Sequence, residues 1–200
     1  AGGAPAIIAS PEGGYYADPF PLEAAGTLYL LVEEFRYGGA KGHLVCLELD
    51  DALRTVKAKP ILPMDSHSSF PFVLAFGGVT YMVPETHEAR SIDLFTMGKD
   101  PFEWALARRL LYGLDAVDTV VFRHQGLWWL ITSVLEPGAT NRHLEIYHST
   151  DLLRDDFVAH PVNAERRYQQ ERHGTGRNAG TILRTASGLV RPMQNSLHHY

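Results

Sequence analysis

The sequence predicts an all-β chain of radially repeated four-stranded units, a β-propeller. Three observations predict it. A hairpin-shaped segment recurs four times, at spacings of roughly 50 to 60 residues, the length of one propeller blade. Its turn glycine falls at one register in three of the copies. Each of the first three hairpins is followed by an alternating strand and a polar turn, so that a unit reads strand, strand, strand, turn.

The inner hairpins begin near Asp18 in "DPFPLEAAGTLYLLVE", Phe70 in "FPFVLAFGGVTYMVPE", Asp118 in "DTVVFRHQGLWWLITS" and Ala179 in "AGTILRTASGLVRPMQ". Gly26, Gly78 and Gly126 occupy the turn, with Ser187 and Gly188 in the fourth copy. Beyond the turn, Tyr29, Tyr81, Trp129 and Val190 stand at matching places, all of them large or β-branched strand formers. The third strands are "GHLVCLELDDAL", "RSIDLFTMGKDPFEWAL" and "RHLEIYHSTDLLRDDFVAH". Outer strands are expected from "RTVKAKPIL", "LARRLLYGL" and "FVAHPVN". The apolar spacing of "EWALARRLLYGL" also suits an amphipathic helix, and only the repeat context favours a strand.

Four units with a ragged end predict a ring of five blades, of which about four are present, because radial closure hides the sheet edges. The chain is expected to be a single domain over 1–200, truncated after the fourth inner hairpin, with "APAIIAS" closing the ring. Composition agrees with one globular core, at 45% hydrophobic and 20% charged residues. A net charge of −5 argues against a nucleic-acid groove, and no apolar run is long enough to cross a membrane. The lone Cys46, in "HLVCLEL", reads as a buried structural thiol, in keeping with a reducing, cytoplasmic compartment.

The candidate site follows from hairpin geometry. Residues equidistant from a turn lie side by side, so the polar series Glu33, Glu85, Ser133 and Gln194 returns beside the hairpin starts. Asp18 and Asp118 recur at one register, which solvation alone does not explain. Together these positions place acids and amides around one wet axial cavity. Asp18, Asp118 and Glu85 are the candidate catalytic residues. Glu33, Trp129, Arg177, Arg191 and Gln194 are the candidate saccharide contacts, since carboxylates, amides, guanidinium forks and an aromatic face suit hydroxyl-rich ligands. No metal or other cofactor is expected: His67, His87, His124, His198 and His199 fall into no ligand spacing. "HGTGRNAG" lacks the lysine and helix of a phosphate loop, and residues 164–176 read as a polar insertion over the axial face.

The ordered set "ADPF", "LYLLVEE", "SHSSFPFVL", "TYMVPE", "VDTVVFRHQGLWWL", "LEIYHSTDLL" and "GLVRPMQ" resembles the N-terminal propeller domain family named after plant glucosamine inositolphosphorylceramide transferase. Bacterial relatives of that domain lie beside or fused to formyltransferase-like or glycosyltransferase modules. More distantly, it is similar to five-bladed propeller glycoside hydrolases of the arabinanase and levansucrase type. In those hydrolases an Asp opening the first inner strand is base or nucleophile and an Asp of the third blade tunes it, which the resemblance maps to Asp18 and Asp118. Their general acid opens the fourth blade, where this chain has Ala179. The resemblance therefore implies a carbohydrate-handling domain, partnered by a saccharide or glycosylated small molecule and by a transferase module. Two alternatives stay open: a glycoside hydrolase or phosphorylase using Asp18 and Asp118, with Glu85 replacing the acid, and a noncatalytic protein-interaction scaffold.

Overall fold

A computed structural model describes residues 7–139, 142–165 and 176–194. The described chain forms three four-stranded antiparallel sheets and one two-stranded sheet, each ordered as the strands follow in sequence. Blade 1 holds β1 (Gly14–Ala24), β2 (Thr27–Arg36), β3 (Gly42–Leu49) and β4 (Thr55–Pro60). Blade 2 holds β5 (Ser69–Phe76), β6 (Val79–Glu85), β7 (Ser91–Met97) and β8 (Trp104–Tyr112), with a 3₁₀ turn at His87–Ala89. Blade 3 holds β9 (Ala116–His124), β10 (Leu127–Val134), β11 (His143–Ser149) and β12 (Val158–Ala159). The fourth hairpin is β13 (Leu183–Thr185) and β14 (Gly188–Val190). The ambiguous "EWALARRLLYGL" segment is the outer strand β8. Residues 7–10, the described part of the expected closing segment, form no strand; instead Ile8 packs on the apolar face of blade 1.

The three complete blades share a local grammar. Each inner hairpin turns on two residues with positive φ: Ala25 and Gly26 (50° and 78°), Gly77 and Gly78 (60° and 77°), Gln125 and Gly126 (49° and 83°). Two left-handed residues in a two-residue loop match the right-handed twist of the strands, which is why glycine falls at this register. At the opposite end all three hairpins carry a bulge, between Ala17 and Phe20, Ser69 and Phe72, and Ile131 and Ser133. Its left-handed residue is Asp18 (φ 47°), Phe70 (42°) or Asp118 (52°). Glu33 therefore pairs with Ala17, Glu85 with Ser69 and Ser133 with Val117, one residue before each expected partner. A bulge re-aims the side chain that it carries. In the fourth hairpin Asn178 bridges Met193, and Ala179 has no left-handed backbone.

Apolar side chains glue blade to blade. Phe20 meets Phe70 and Phe72 edge-on at 5.0 and 5.8 Å, and Phe76 meets Trp128 at 4.8 Å. Such aromatic pairs add about 0.5–1.5 kcal/mol each beyond the area they bury. Cys46 is fully buried among Leu31, Leu44, Ile61, Met82 and Phe102. Burial pushes its thiol up to about 12, so it is an inert core residue.

Candidate functional site

The bulged ends of the inner hairpins meet where the blades converge, and there the side chains change from apolar to polar. A cleft of about 300 Å³ is lined by Tyr15, Asp18, Glu33, Phe35, His67, Ser69, Glu85 and Arg177. Asp18 also lines a second cleft of about 490 Å³, with Pro19, Phe20, Pro21, Phe70, Ala179, Gly180, Thr181 and Gln194.

Two of the acids are latches between blades. Glu85, at the end of β6, accepts the Asp118 amide hydrogen bond through Oε2 at 3.2 Å. Burial acts to raise its pKa, but His87, Arg177 and that amide outweigh it, so Glu85 is held below the usual carboxylate range. Asp118, 1% exposed, takes a bidentate bond from Arg177, with Nε at 2.5 Å and Nη2 at 2.9 Å. Burial pushes its carboxyl up to about 6 although Arg177 pulls it down. Asn178, fully buried, donates to the carbonyls of Asp118 and Ile131 at 2.6 and 3.0 Å, which fixes the bulge that aims Asp118.

The other two acids face the cleft. Burial raises Asp18 above its ordinary value, the Glu85 charge adds to this, and Arg177 and the Phe70 amide oppose it. Glu33 is 9% exposed and makes no hydrogen bond with any described residue. Burial, then the charges of Asp18 and Glu85, push its carboxyl up to about 7. Its place is made by glycine: a Cβ on Gly42 would stand 2.0 Å from Glu33 Oε1. The Gly42 N–H donates to His67 Nδ1 at 2.9 Å, so a neutral His67 carries its proton on Nε2, 3.8 Å from Glu33 Oε1. Burial lowers the pKa of His67, which favours that neutral ring. His87 Nδ1 is 3.7 Å from Glu85 Oε1, and this carboxylate raises His87 above the ordinary imidazole range.

The fold thus brings Asp18, Glu33, Glu85, Asp118 and Arg177 together. Arg191 lies behind them, donating to Asn178 Oδ1 at 3.1 Å and to the Arg177 carbonyl at 3.4 Å, where it braces the Arg177–Asn178 backbone. Gln194 donates to the Asn178 carbonyl at 2.9 Å and lines the larger cleft. Trp129 belongs to neither cleft. It lies toward the turn of its hairpin, away from the bulge, donates to the His124 carbonyl at 3.2 Å and packs against His148 and His160. The aromatic lining of the smaller cleft comes from Tyr15 and Phe35, stacked at 5.5 Å. Of the 164–176 insertion, residues 166–175 lie outside the described residues, as do His198 and His199.

Sequence reasoning missed Asn178, Gly42 and the placement of His67 and His87 beside the acids. The one available signal was "SHSSF", a histidine just ahead of a repeat start. Among the described residues, Glu136, His143 and Glu145 bring ligand atoms within 4.8 Å of one another, a possible metal donor set outside the axial cleft. His143 Nε2 lies 3.1 Å from Glu145 Oε1, and the Tyr147 hydroxyl donates to Glu145 Oε2.

A family model described as glucosamine inositolphosphorylceramide transferase 1, N-terminal, matches residues 5–200. The chain is 29% identical over 191 residues to glucosamine inositolphosphorylceramide transferase 1 of Oryza sativa subsp. japonica, covering 92% of this chain and 25% of that protein. It is 30% identical over 189 residues to the Arabidopsis thaliana protein of that name, covering 93% and 24%. It spans about a quarter of the length of these curated relatives. Among solved structures, an endo-arabinase from Bacteroides thetaiotaomicron VPI-5482 matches with TM-score 0.64 at 15% identity, over 94% of this chain and 74% of that one. A thermostable family-43 glycoside hydrolase matches with TM-score 0.63 at 12% identity, over 90% and 66%. At these identities the structural likeness speaks for the propeller fold.

Proposed function

The chain belongs to the family of the N-terminal domain of glucosamine inositolphosphorylceramide transferase 1, and on that premise we propose that its axial cleft binds a saccharide or a glycosylated small molecule. In this reading it serves a glycosyltransferase or formyltransferase-like module of the same assembly, and a fifth blade completes the ring. The observation that carries the reading is the cleft itself: two outward carboxyl groups, Asp18 and Glu33, beside the aromatic faces of Tyr15 and Phe35. Carboxylates that accept from vicinal hydroxyls next to an aromatic wall suit a sugar ring, polar at its rim and apolar on its faces. Glu85, Asp118, Arg177 and Asn178 hold one another across blades and leave Asp18 and Glu33 for the ligand. A glycan array tests this: retention lost in Asp18→Ala supports it, and a wild-type protein that retains no glycan sinks it.

A second reading, glycoside cleavage, is favoured by the pair of carboxyl groups, Asp18 and Glu33, that line one cleft. Cleavage needs a protonated carboxyl for the leaving oxygen and an ionised one across the ring. Ala179 stands where the related hydrolases keep their acid, so natural glycans are expected to survive. An aryl glycoside, whose leaving group needs little protonation, separates the readings. Its turnover, abolished by Asp18→Ala, would establish a hydrolytic centre.

A further inference from the structure

Blade 1 reaches further over the axial face than its neighbours. Beyond the bulge its inner hairpin continues for four paired residues, from Ala17 with Glu33 out to Gly14 with Arg36, where β5 and β6 continue for one pair and β9 and β10 for two. Tyr37 adds a further rung, its amide donating to the Gly13 carbonyl at 2.8 Å. By the period of two, Glu33, Phe35 and Tyr37 share one face of this ribbon, with Tyr15 opposite Phe35. The reverse face carries Arg36, which donates to Glu34 and to the Glu12 carbonyl, both at 2.6 Å, and so ties the end of β2 to the segment that enters β1. The face that continues from Glu33 is aromatic. Tyr15 and Phe35 line the smaller cleft with their rings stacked at 5.5 Å, and Tyr37 stands beyond that lining, 6.2 Å from Tyr15. Tyr15 is 41% exposed and Tyr37 70%, so the rings form a ledge that starts in the cleft and ends in solvent.

From this ledge we infer that the cleft takes one unit of an oligosaccharide chain, whose following units leave along the ribbon and stack on Tyr15 and Tyr37. The inference rests on the saccharide reading above and deepens it: the ligand is a chain rather than a lone sugar. Successive rungs on one face of a strand lie about 6.8 Å apart, close to the length of one sugar unit, so consecutive rings meet consecutive units. Each tyrosine offers an apolar ring face to the C–H side of a sugar and a hydroxyl to its rim. A protein occupant fits less well. An aromatic side chain buries at most about 250 Å², so the exposed parts of these three give under half of the roughly 800 Å² that each partner brings to a stable protein interface.

Printed homo-oligosaccharides of glucose, galactose, mannose, xylose and arabinose, each in lengths from a single unit upward, test this on the purified protein. In a series that the cleft retains, affinity is expected to rise about three- to tenfold with the second and third units, the scale of one ring-on-ring contact, and then to level off. Tyr37→Ala removes an exposed ring and should melt like the wild type, flatten that rise and leave the shortest retained member bound. Tyr37→Phe should keep the rise. Affinity independent of length in the wild type, or a rise unmoved in Tyr37→Ala, would overturn the inference while leaving the saccharide reading intact. A wild type that sediments as a dimer, with Tyr37→Ala a monomer, would give the ledge to a second copy of the chain and also overturn it. If every series is blank, and a broad glycan array with them, the saccharide reading fails and takes this one with it.

Discussion

Replacing Glu33 with glutamine should stabilise the protein by an amount that grows as pH rises from about 4.5 to about 7. Glu33 ionises near 4.5 in an unfolded chain and holds its proton to about 7 in the folded one, because of burial and of Asp18 and Glu85. At about 1.4 kcal/mol for each tenfold difference in proton affinity, the ionised carboxylate costs the fold up to about 3 kcal/mol. The sign follows from proton counting. Below pH 4.5 both states are protonated and Glu33 costs nothing. Between 4.5 and about 7 the folded state binds more protons than the unfolded one, so stability falls as pH rises. Above 7 the cost is complete and constant.

Glutamine keeps the shape of the neutral acid and has no charge to bury. For a chain of this size about 1 kcal/mol moves the melting temperature by about 2–4 °C, so Glu33→Gln should melt about 6–12 °C higher at pH 8. Water reaching the cleft makes this the ceiling. At pH 4.5 the two proteins should melt nearly together. Differential scanning calorimetry from pH 4.5 to 8.5 gives the whole curve. A gap that does not grow with pH, or a variant less stable than the wild type at pH 8, would refute the assignment of a neutral Glu33.

The supporting geometry yields further expectations. Gly42→Ala drives a methyl to 2.0 Å from Glu33 Oε1 and should cost about 1–3 kcal/mol of overpacking, largely relieved in the double variant with Glu33→Ala. Urea melts of the four proteins check this, and additive costs would mean that the two residues do not touch. Arg177→Ala leaves Asp118 buried and unpaired, a loss of about 3–5 kcal/mol that Asp118→Asn in the same chain should largely restore. Asn178→Ala strips a donor from two buried carbonyls and should cost about 1–3 kcal/mol for each, read by thermal melts. Asp118→Asn frees Arg177 to act on Asp18 and should lower the apparent pKa of Asp18 in a carbon-13 carboxyl titration; an unchanged curve would confine Asp118 to its latch.

The blades were legible because they obey local rules. The two-residue turns demand left-handed backbone, so Gly26, Gly78 and Gly126 mark them in the sequence, and alternation marks the strands between. The bulges were less so. Asp18, Phe70 and Asp118 share a left-handed backbone without sharing a side chain, so nothing in their identities announces that each pushes its partner one register along. Ala179 lies outside that pattern, and the fourth hairpin replaces the bulged acid with Asn178, whose side chain reaches back to blade 3. Trp129 stands three residues past the turn Gly126, so the hairpin geometry that brings the open ends to the axis carries it away from the bulge.

The protonation of Glu33 lay further out of reach, since it is set by groups from other parts of the chain. Its neighbour in sequence, Glu34, is of the same type, yet pairs with Arg36 at 2.6 Å. The two are consecutive in β2, and the period of two sends one carboxyl to a guanidinium and the other onto Gly42, near Asp18 and Glu85. A ring of acids read from sequence is thus two populations. Glu85 and Asp118 take hydrogen-bond donors from blade 3 and the fourth hairpin, whereas Glu33 takes none from the described residues. Asp18, which accepts the Phe70 amide of blade 2, joins the first pair in holding the blades in register, whereas the buried Glu33 lowers the stability of the fold as pH rises and takes no hydrogen bond from a described residue.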